Sequence, residues 1–254
     1  MLKACINGPR HPWEHPALPV TPAQLARDVA RVAAAGADAV HLHVKDQDGS
    51  DTLDGAALAD VLSEVYGTAA GVPVGVTTGA WALPDPAERV AAIAAWTARP
   101  DFASVNWHED GADDVAAVLL EQDVGVEAGL WHVQAVEAWL ESPYRDRCCR
   151  VLLELPDGLD PAGTEAEAEQ LLARLHAGVG DRIPVLLHGE GSSAWPALAC
   201  AARRRLSTRI GLEDVLVLPD GSPAPDNEAL VRAARRVLGE AAGDGDTPAQ
   251  RPRR

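Results

Sequence analysis

Lysine is almost missing from this chain of 254 residues: it stands only at Lys3 and Lys45, and the remaining Lys/Arg positions are arginine. We read that bias as codon usage rather than chemistry. Cysteine is scarce as well. Cys5, Cys148, Cys149 and Cys200 form no CxxC pair, which excludes a zinc ribbon and leaves no disulfide framework in view. No apolar run approaches the ~18 residues of a membrane span, and no apolar leader of the signal-peptide type is present. A soluble, cytoplasmic protein without a membrane partner is the expectation. Positive charge is also short, with a formal net charge of −16. A surface this acidic repels phosphate backbones, which argues against nucleic acid as a partner. No GxGxxG follows the first predicted strand, and this weakens the case for a doubly wound dinucleotide-binding sheet. Nothing resembling a linker divides the chain. One domain is expected over residues 1–240, with a Gly/Asp/Pro/Arg-rich, disordered tail over 241–254.

What the chain does have is apolar residues, 47% of the total, enough for a sizeable core. Short β-branched runs alternate with longer, amphipathic Ala/Leu-rich runs. Strands are expected at Leu2–Asn7, Ala39–Lys45, Val72–Thr77, Phe102–Trp107, Val124–Ala128, Arg150–Glu154, Pro184–Leu187 and around Arg209–Leu212. A helical stretch follows each. In TPAQLARDVARVAAAGA, Thr21 is placed to cap, Pro22 takes the first helical position, and Gly36 closes the helix. Eight such repeats most simply build a single-domain α/β fold, the TIM (β/α)8 barrel.

In that barrel, catalytic groups sit where the strands end. The predicted ends are polar all round: Asn7, Gly8 and Arg10 after the first strand, then His41, His43, Lys45 and Asp46, then Thr77, Thr78 and Gly79. Ser104 and Asn106 follow on the fourth strand, Glu127 on the fifth, Glu154 on the sixth, His188 on the seventh, and Arg209, Glu213 and Asp214 on the eighth. His41 and His43 alternate within a run of Val and Leu, so both imidazoles face one way. Two buried histidines bonded to backbone would be the ordinary reading of such a pair. Beside a carboxylate they make a catalytic zinc site of the His2Glu kind with one open position. Glu213 is the candidate third ligand, and His188 and Glu154 compete for that place. His11, His15, His132 and His176 read as structural or solvated, whereas His108, after the fourth strand, is open to a structural reading or a place in the site. Arg209 with Glu213 and Asp214 also fits an ordinary ion pair, and TTG and Asn7-Gly8 also fit plain turns.

Taken together, HLHVKD, VTTGA, GVEAG, TRIGLEDVL and NEALVRAARRVL resemble the beta-keto acid cleavage enzymes, the family named for 3-keto-5-aminohexanoate cleavage enzyme. NGPRHPWEHPALPVTPAQLA is similar to the family's first strand and following loop, and the match runs in order from about residue 2 to 240. The resemblance implies a zinc TIM barrel, usually a homo-oligomer (a dimer or tetramer), that takes a β-keto acid and acetyl-CoA and yields acetoacetate and a new CoA thioester. It implies His41, His43 and Glu213 as zinc ligands. It implies Thr77, Thr78 and Gly79 as the turn holding the substrate carboxylate, with Asn106 and Ser104 near a further substrate contact. It implies Glu127 as a catalytic acid, and Arg209 with Asp214 as the pair that activates a water for proton abstraction. Departures are Lys45 for the commoner Arg, Ala80 for a second Gly after TTG, NWHED after the fourth strand, and HGEGSS after the seventh.

Two places after the strand-one Gly, the family member acting on the aminated substrate carries an acid that meets the ammonium. Here that place is Arg10. An Arg repels an ammonium and attracts a carboxylate, so a neutral or anionic β-keto acid is expected. The other fate open to Arg10 is solvent, or a pair with Glu14 or Asp46. Two further readings of the whole chain stand beside this one: a zinc-dependent TIM-barrel hydrolase, and a degenerate, non-catalytic barrel.

Overall fold

The computed structural model describes residues 1–69 and 71–244. Its eight strands are β1 (Leu2–Cys5), β2 (Ala39–Leu42), β3 (Val74–Thr77), β4 (Phe102–Asn106), β5 (Gly125–Leu130), β6 (Arg150–Leu155), β7 (Val185–Gly189) and β8 (Thr208–Ile210). Between and after them run α1 (Pro22–Ala34), α2 (Gly55–Thr68), α3 (Pro86–Ala94), α4 (Ala112–Glu121), α5 (Val133–Glu141), α6 (Pro161–Val179), α7 (Ala194–Arg204) and α8 (Asn227–Asp244). Every paired strand is parallel, in the order β7-β6-β5-β4-β3-β2-β1-β8. A bridge between Leu186 and Ser207 draws β7 to the foot of β8 and closes the ring. This is the expected (β/α)8 barrel.

Local chemistry accounts for the elements. Thr21 caps α1, and Gln24 reaches back to complete a capping box, with Pro22 just inside. The Asp54, Asp85 and Asp160 side chains cap α2, α3 and α6 by accepting from first-turn backbone N–H groups. Along the strands, alternate residues such as Val40, Leu42, Ala103, Val105, Val151 and Leu153 face outward into the main core against the helices. The residues between them, including Lys3, His41, Phe102, Glu127, Leu152, Leu186 and His188, turn into the barrel and are buried there.

Strand limits shift from those expected. β2 stops at Leu42, leaving His43 just beyond it, and β5 continues to Leu130, two residues past the expected end at Ala128. α8 continues to Asp244, so the tail expected from residue 241 begins as helix, and residues 245–254 lie outside the described residues. Among the described residues, no helix is long and apolar enough to cross a membrane.

Candidate active site

The end of β2 is fixed before any ligand is considered. Asn7, wholly buried after β1, donates to the carbonyls of His43 (2.9 Å) and Pro19 (3.2 Å) and accepts from the backbone N–H of His43 (2.8 Å). The Asn7-Gly8 pair is therefore more than a turn. Gly8 adopts φ +58, and a Cβ there would fall 2.4 Å from the Glu213 side chain, so glycine is what lets the loop after β8 cross this point.

His41, His43 and Glu213 converge, each offering a ligand atom within 4.8 Å of the others, and they could hold a metal ion. Nε2 of His43 lies 3.8 Å from Oε1 of Glu213, and the two imidazole rings meet edge to face with centroids 5.2 Å apart. His41 Nδ1 and Glu213 Oε2 are buried and have no hydrogen-bond partner among the described residues. Buried polar atoms without a partner are costly, and a cation would satisfy them. Burial holds the His41 imidazole well below the usual histidine range, and His43, then Lys3, add to the effect. A neutral imidazole is the form a metal needs.

Arg209 binds the other carboxylates. Its Nε and Nη2 both donate to Oδ1 of Asp214 (3.0 and 2.8 Å), and Nη2 stands 3.2 Å from Glu213 and 3.7 Å from Glu154. Oδ2 of Asp214 is buried and unpartnered. Burial pushes the Asp214 carboxyl well above the usual range, Arg209 works against this, and Glu213 reinforces it. That combination describes a carboxylate ready to take a proton.

The remaining expected residues are less uniform. Thr77 Oγ1 accepts from the N–H of Gly79 (3.1 Å), which shapes the turn, while Thr78 donates to the carbonyl of Ser104 (2.7 Å). Ser104 is half-buried. Asn106 is engaged by Glu109 (2.8 Å) and by the indole of Trp131 (3.2 Å). Arg10 pairs with Glu14 (3.0 Å) and donates to the carbonyl of Leu212 (2.5 Å), the Glu14 alternative raised above.

Glu127 is not at a strand end. β5 runs three residues further, and the Glu127 carboxylate is wholly buried against Lys3 (2.5 Å) and Arg150 (3.2 Å). Both partners stand near the starts of β1 and β6, and both cations lie 5.5 Å from the ring of Phe102, the first residue of β4. The cluster thus sits in the barrel interior toward the starts of β1, β4 and β6, below the strand ends but near enough for Lys3 to act on His41 and His188.

His188 is buried in β7 with Nε2 3.3 Å from Glu154, and among the described residues neither ring nitrogen makes a hydrogen bond. Burial, then Arg209 and Lys3, keep it neutral. His15 bonds the carbonyl of Ala224 (2.9 Å), and His132 caps α5, as their structural reading required. His108 packs edge-on against Trp131, with centroids 4.9 Å apart.

A family model described as beta-keto acid cleavage enzyme matches residues 1–252. The chain belongs to this family. No curated protein matches it. Among solved structures, ObcA in ternary complex with a C4-CoA adduct and oxalate is similar at 19% identity and TM-score 0.70, over 91% of this chain and 65% of that one. ObcA with oxaloacetate gives 20% identity and TM-score 0.71 over the same shares. This cleavage-family chain therefore spans just under two thirds of ObcA. A dihydrodipicolinate synthase from Agrobacterium tumefaciens str. C58 is similar at 17% identity and TM-score 0.56, over 96% of this chain and 78% of that one. These likenesses show the shared barrel.

Several residues at the mouth of this barrel went unread in the sequence. Asp51, eight residues on, and Trp81, in the loop after β3, flank His43 but carry no motif. Glu109 binds Asn106 and the N–H of Ala80, from within the unusual NWHED turn. Glu190, in the equally unusual HGEGSS, is raised to about 8 by burial and then by Glu154. Both departures were visible; what they contact was not.

Proposed function

We propose that this protein is a zinc-dependent beta-keto acid cleavage enzyme that condenses a β-keto acid with acetyl-CoA and releases acetoacetate and a new acyl-CoA. One observation carries the reading: the His41, His43 and Glu213 donors stand beside an Asp214 whose free oxygen is buried and whose other oxygen is clamped by Arg209. Two imidazoles and a carboxylate suit zinc. When bound, zinc supplies Lewis-acid polarisation of the substrate's keto group. Asp214 Oδ2 takes a proton, directly or through water, from the carbon between carboxylate and ketone, while Arg209 fixes its direction. The resulting carbanion attacks the acetyl thioester and expels CoA thiolate. The thiolate adds to the original ketone, and cleavage of the adjacent C–C bond leaves the new thioester and an acetoacetate carbanion, which takes back the proton held by Asp214. Thr77, Thr78 and Gly79 are assigned to the substrate carboxylate, and Ser104 and Asn106 to the neighbouring wall. Glu127, committed to Lys3 and Arg150, is assigned to supporting the barrel interior rather than to touching substrate. ObcA, held with a C4-CoA adduct or with oxaloacetate, supports a CoA thioester and a keto acid as the substrate pair. A neutral or anionic keto acid is assigned as the substrate class, with Arg10, already paired with Glu14, as the candidate selector.

The test is to incubate zinc-loaded protein with a panel of β-keto acids, with and without acetyl-CoA, and assay acetoacetate. Product only with acetyl-CoA supports the reading. Consumption of the keto acid without acetyl-CoA, yielding acetate and no acetoacetate, points to hydrolytic chemistry, and no consumption of any acid under either condition to a non-catalytic barrel. His41→Ala and Glu213→Ala should each lose zinc and turnover while keeping the fold. Full zinc stoichiometry in both would remove the ligand assignment.

A further inference from the structure

The Asp51 side chain, in the loop after β2, is 4% exposed, and the ring N–H groups of His43 and Trp81 and the ammonium of Lys45 converge on it. Oδ2 lies 2.7 Å from His43 Nδ1 and accepts from Trp81 Nε1 at 2.7 Å, while Oδ1 is 2.5 Å from Lys45 Nζ. Lys45 in turn donates to the carbonyls of Gly8 (2.7 Å) and Arg10 (3.0 Å). Trp81 lies over the His43 ring, with centroids 5.9 Å apart and planes 14° from parallel, and its indole occupies the space a Cβ on Gly79 would need.

An ionised carboxylate only accepts hydrogen bonds. Paired with Lys45, Asp51 therefore requires the proton of a neutral His43 to sit on Nδ1. The lone pair then sits on Nε2, the nitrogen facing Glu213. We propose that Asp51 is the positioning residue of this metal centre: it fixes His43 as the Nδ1–H tautomer, and through Trp81 it locks the ring's plane against the Thr77–Gly79 turn. Lys45 and Trp81 hold Asp51 in place. The inference rests on the metal-site reading above and adds to it a residue that no motif carries. Carboxylate partners of this kind raise ligand basicity, and losing them typically costs roughly 10–100-fold in metal affinity.

The experiment has two independent arms. In metal-free wild type, 15N histidine NMR reads the tautomer of His43, with His43→Gln assigning its signals. The Nδ1–H form is expected, and an Nε2–H form overturns the proposal whether or not the protein binds zinc. The second arm measures zinc affinity by competition with a chromophoric chelator in wild type, Asp51→Ala, Asp51→Asn and Trp81→Phe. Asp51→Ala should lose roughly 10–100-fold and show mixed tautomers. Asp51→Asn, which keeps one acceptor oxygen, should lose less, as should Trp81→Phe, which keeps the stacked ring and loses only the N–H. Affinity within twofold of wild type in folded Asp51→Ala and Asp51→Asn overturns the proposal. If Asp51→Ala does not fold, Asp51→Asn and the wild-type tautomer decide. Failure of wild type to bind zinc would instead sink the metal-site reading and leave the tautomer result standing as the test of Asp51.

Discussion

Glu127→Gln offers a way to separate a catalytic acid from a structural one. The Lys3–Glu127 pair is 2.5 Å long with both side chains at 0% exposure, so neither charge reaches water. Amidating Glu127 removes the anion and leaves the Lys3 ammonium buried without an opposite charge. Breaking a buried pair in this way costs about 3–5 kcal/mol. Arg150 adds little, since its side chain is 20% exposed and can turn toward solvent, which keeps its share within the ~0–1 kcal/mol of a surface pair. At about 2–4 °C per kcal/mol for a chain near this size, Tm should fall by roughly 6–20 °C. Lys3→Met combined with Glu127→Gln removes the stranded charge and should recover most of the loss. Urea denaturation of wild type, both single variants and the double variant yields the coupling energy. Turnover is measured well below each melting point. The double variant should keep its turnover, because Glu127 is committed to Lys3 and Arg150 rather than to a substrate group. A single-variant cost under about 1 kcal/mol would refute the ion-pair reasoning. A stable double variant slowed about 10²-fold or more would return Glu127 to the catalytic role expected from the sequence.

Asp214→Asn should keep zinc and substrate binding yet slow turnover roughly 10²–10⁴-fold, and unchanged turnover would remove it as the base. Arg10→Glu should move kcat/KM toward cationic β-keto acids by about tenfold, less than the ~4 kcal/mol of a direct charge contact, because Glu14 already shares the guanidinium. An unchanged ranking across cationic, neutral and dicarboxylic acids would show that Arg10 does not select substrate. Glu190 has a folded-state pKa of about 8, raised by burial and by Glu154. The folded state therefore holds a proton the unfolded state releases near the ordinary carboxylate value, and stability falls as pH rises through that window to about 8. Glu190→Gln should match wild-type Tm near pH 4 and exceed it at pH 9; equal Tm differences at both pH values would contradict the assignment.

The barrel was legible because its signals are local. Alternating strand and helix patterns need only neighbours in the chain, and Thr21-Pro22 and the aspartate caps announce their helices in the same way. The same-face histidines were legible for an equally local reason, since strand period alone aligns His41 with His43. Glu213, although 170 residues further on, was reached because its RIGLED run closes the eighth repeat beside the first. Strand limits were not legible, because where pairing stops depends on the partner strand; this is why Glu127 looked terminal and proved to be interior. Tertiary structure alone decided the partners of each charge. It gave Glu127 to Lys3 across the barrel, Arg10 to Glu14, and Asp51 jointly to His43, Lys45 and Trp81. Charge pairing and desolvation act through space, so a sequence can supply the groups, but only closure of the ring brings them within reach of one another.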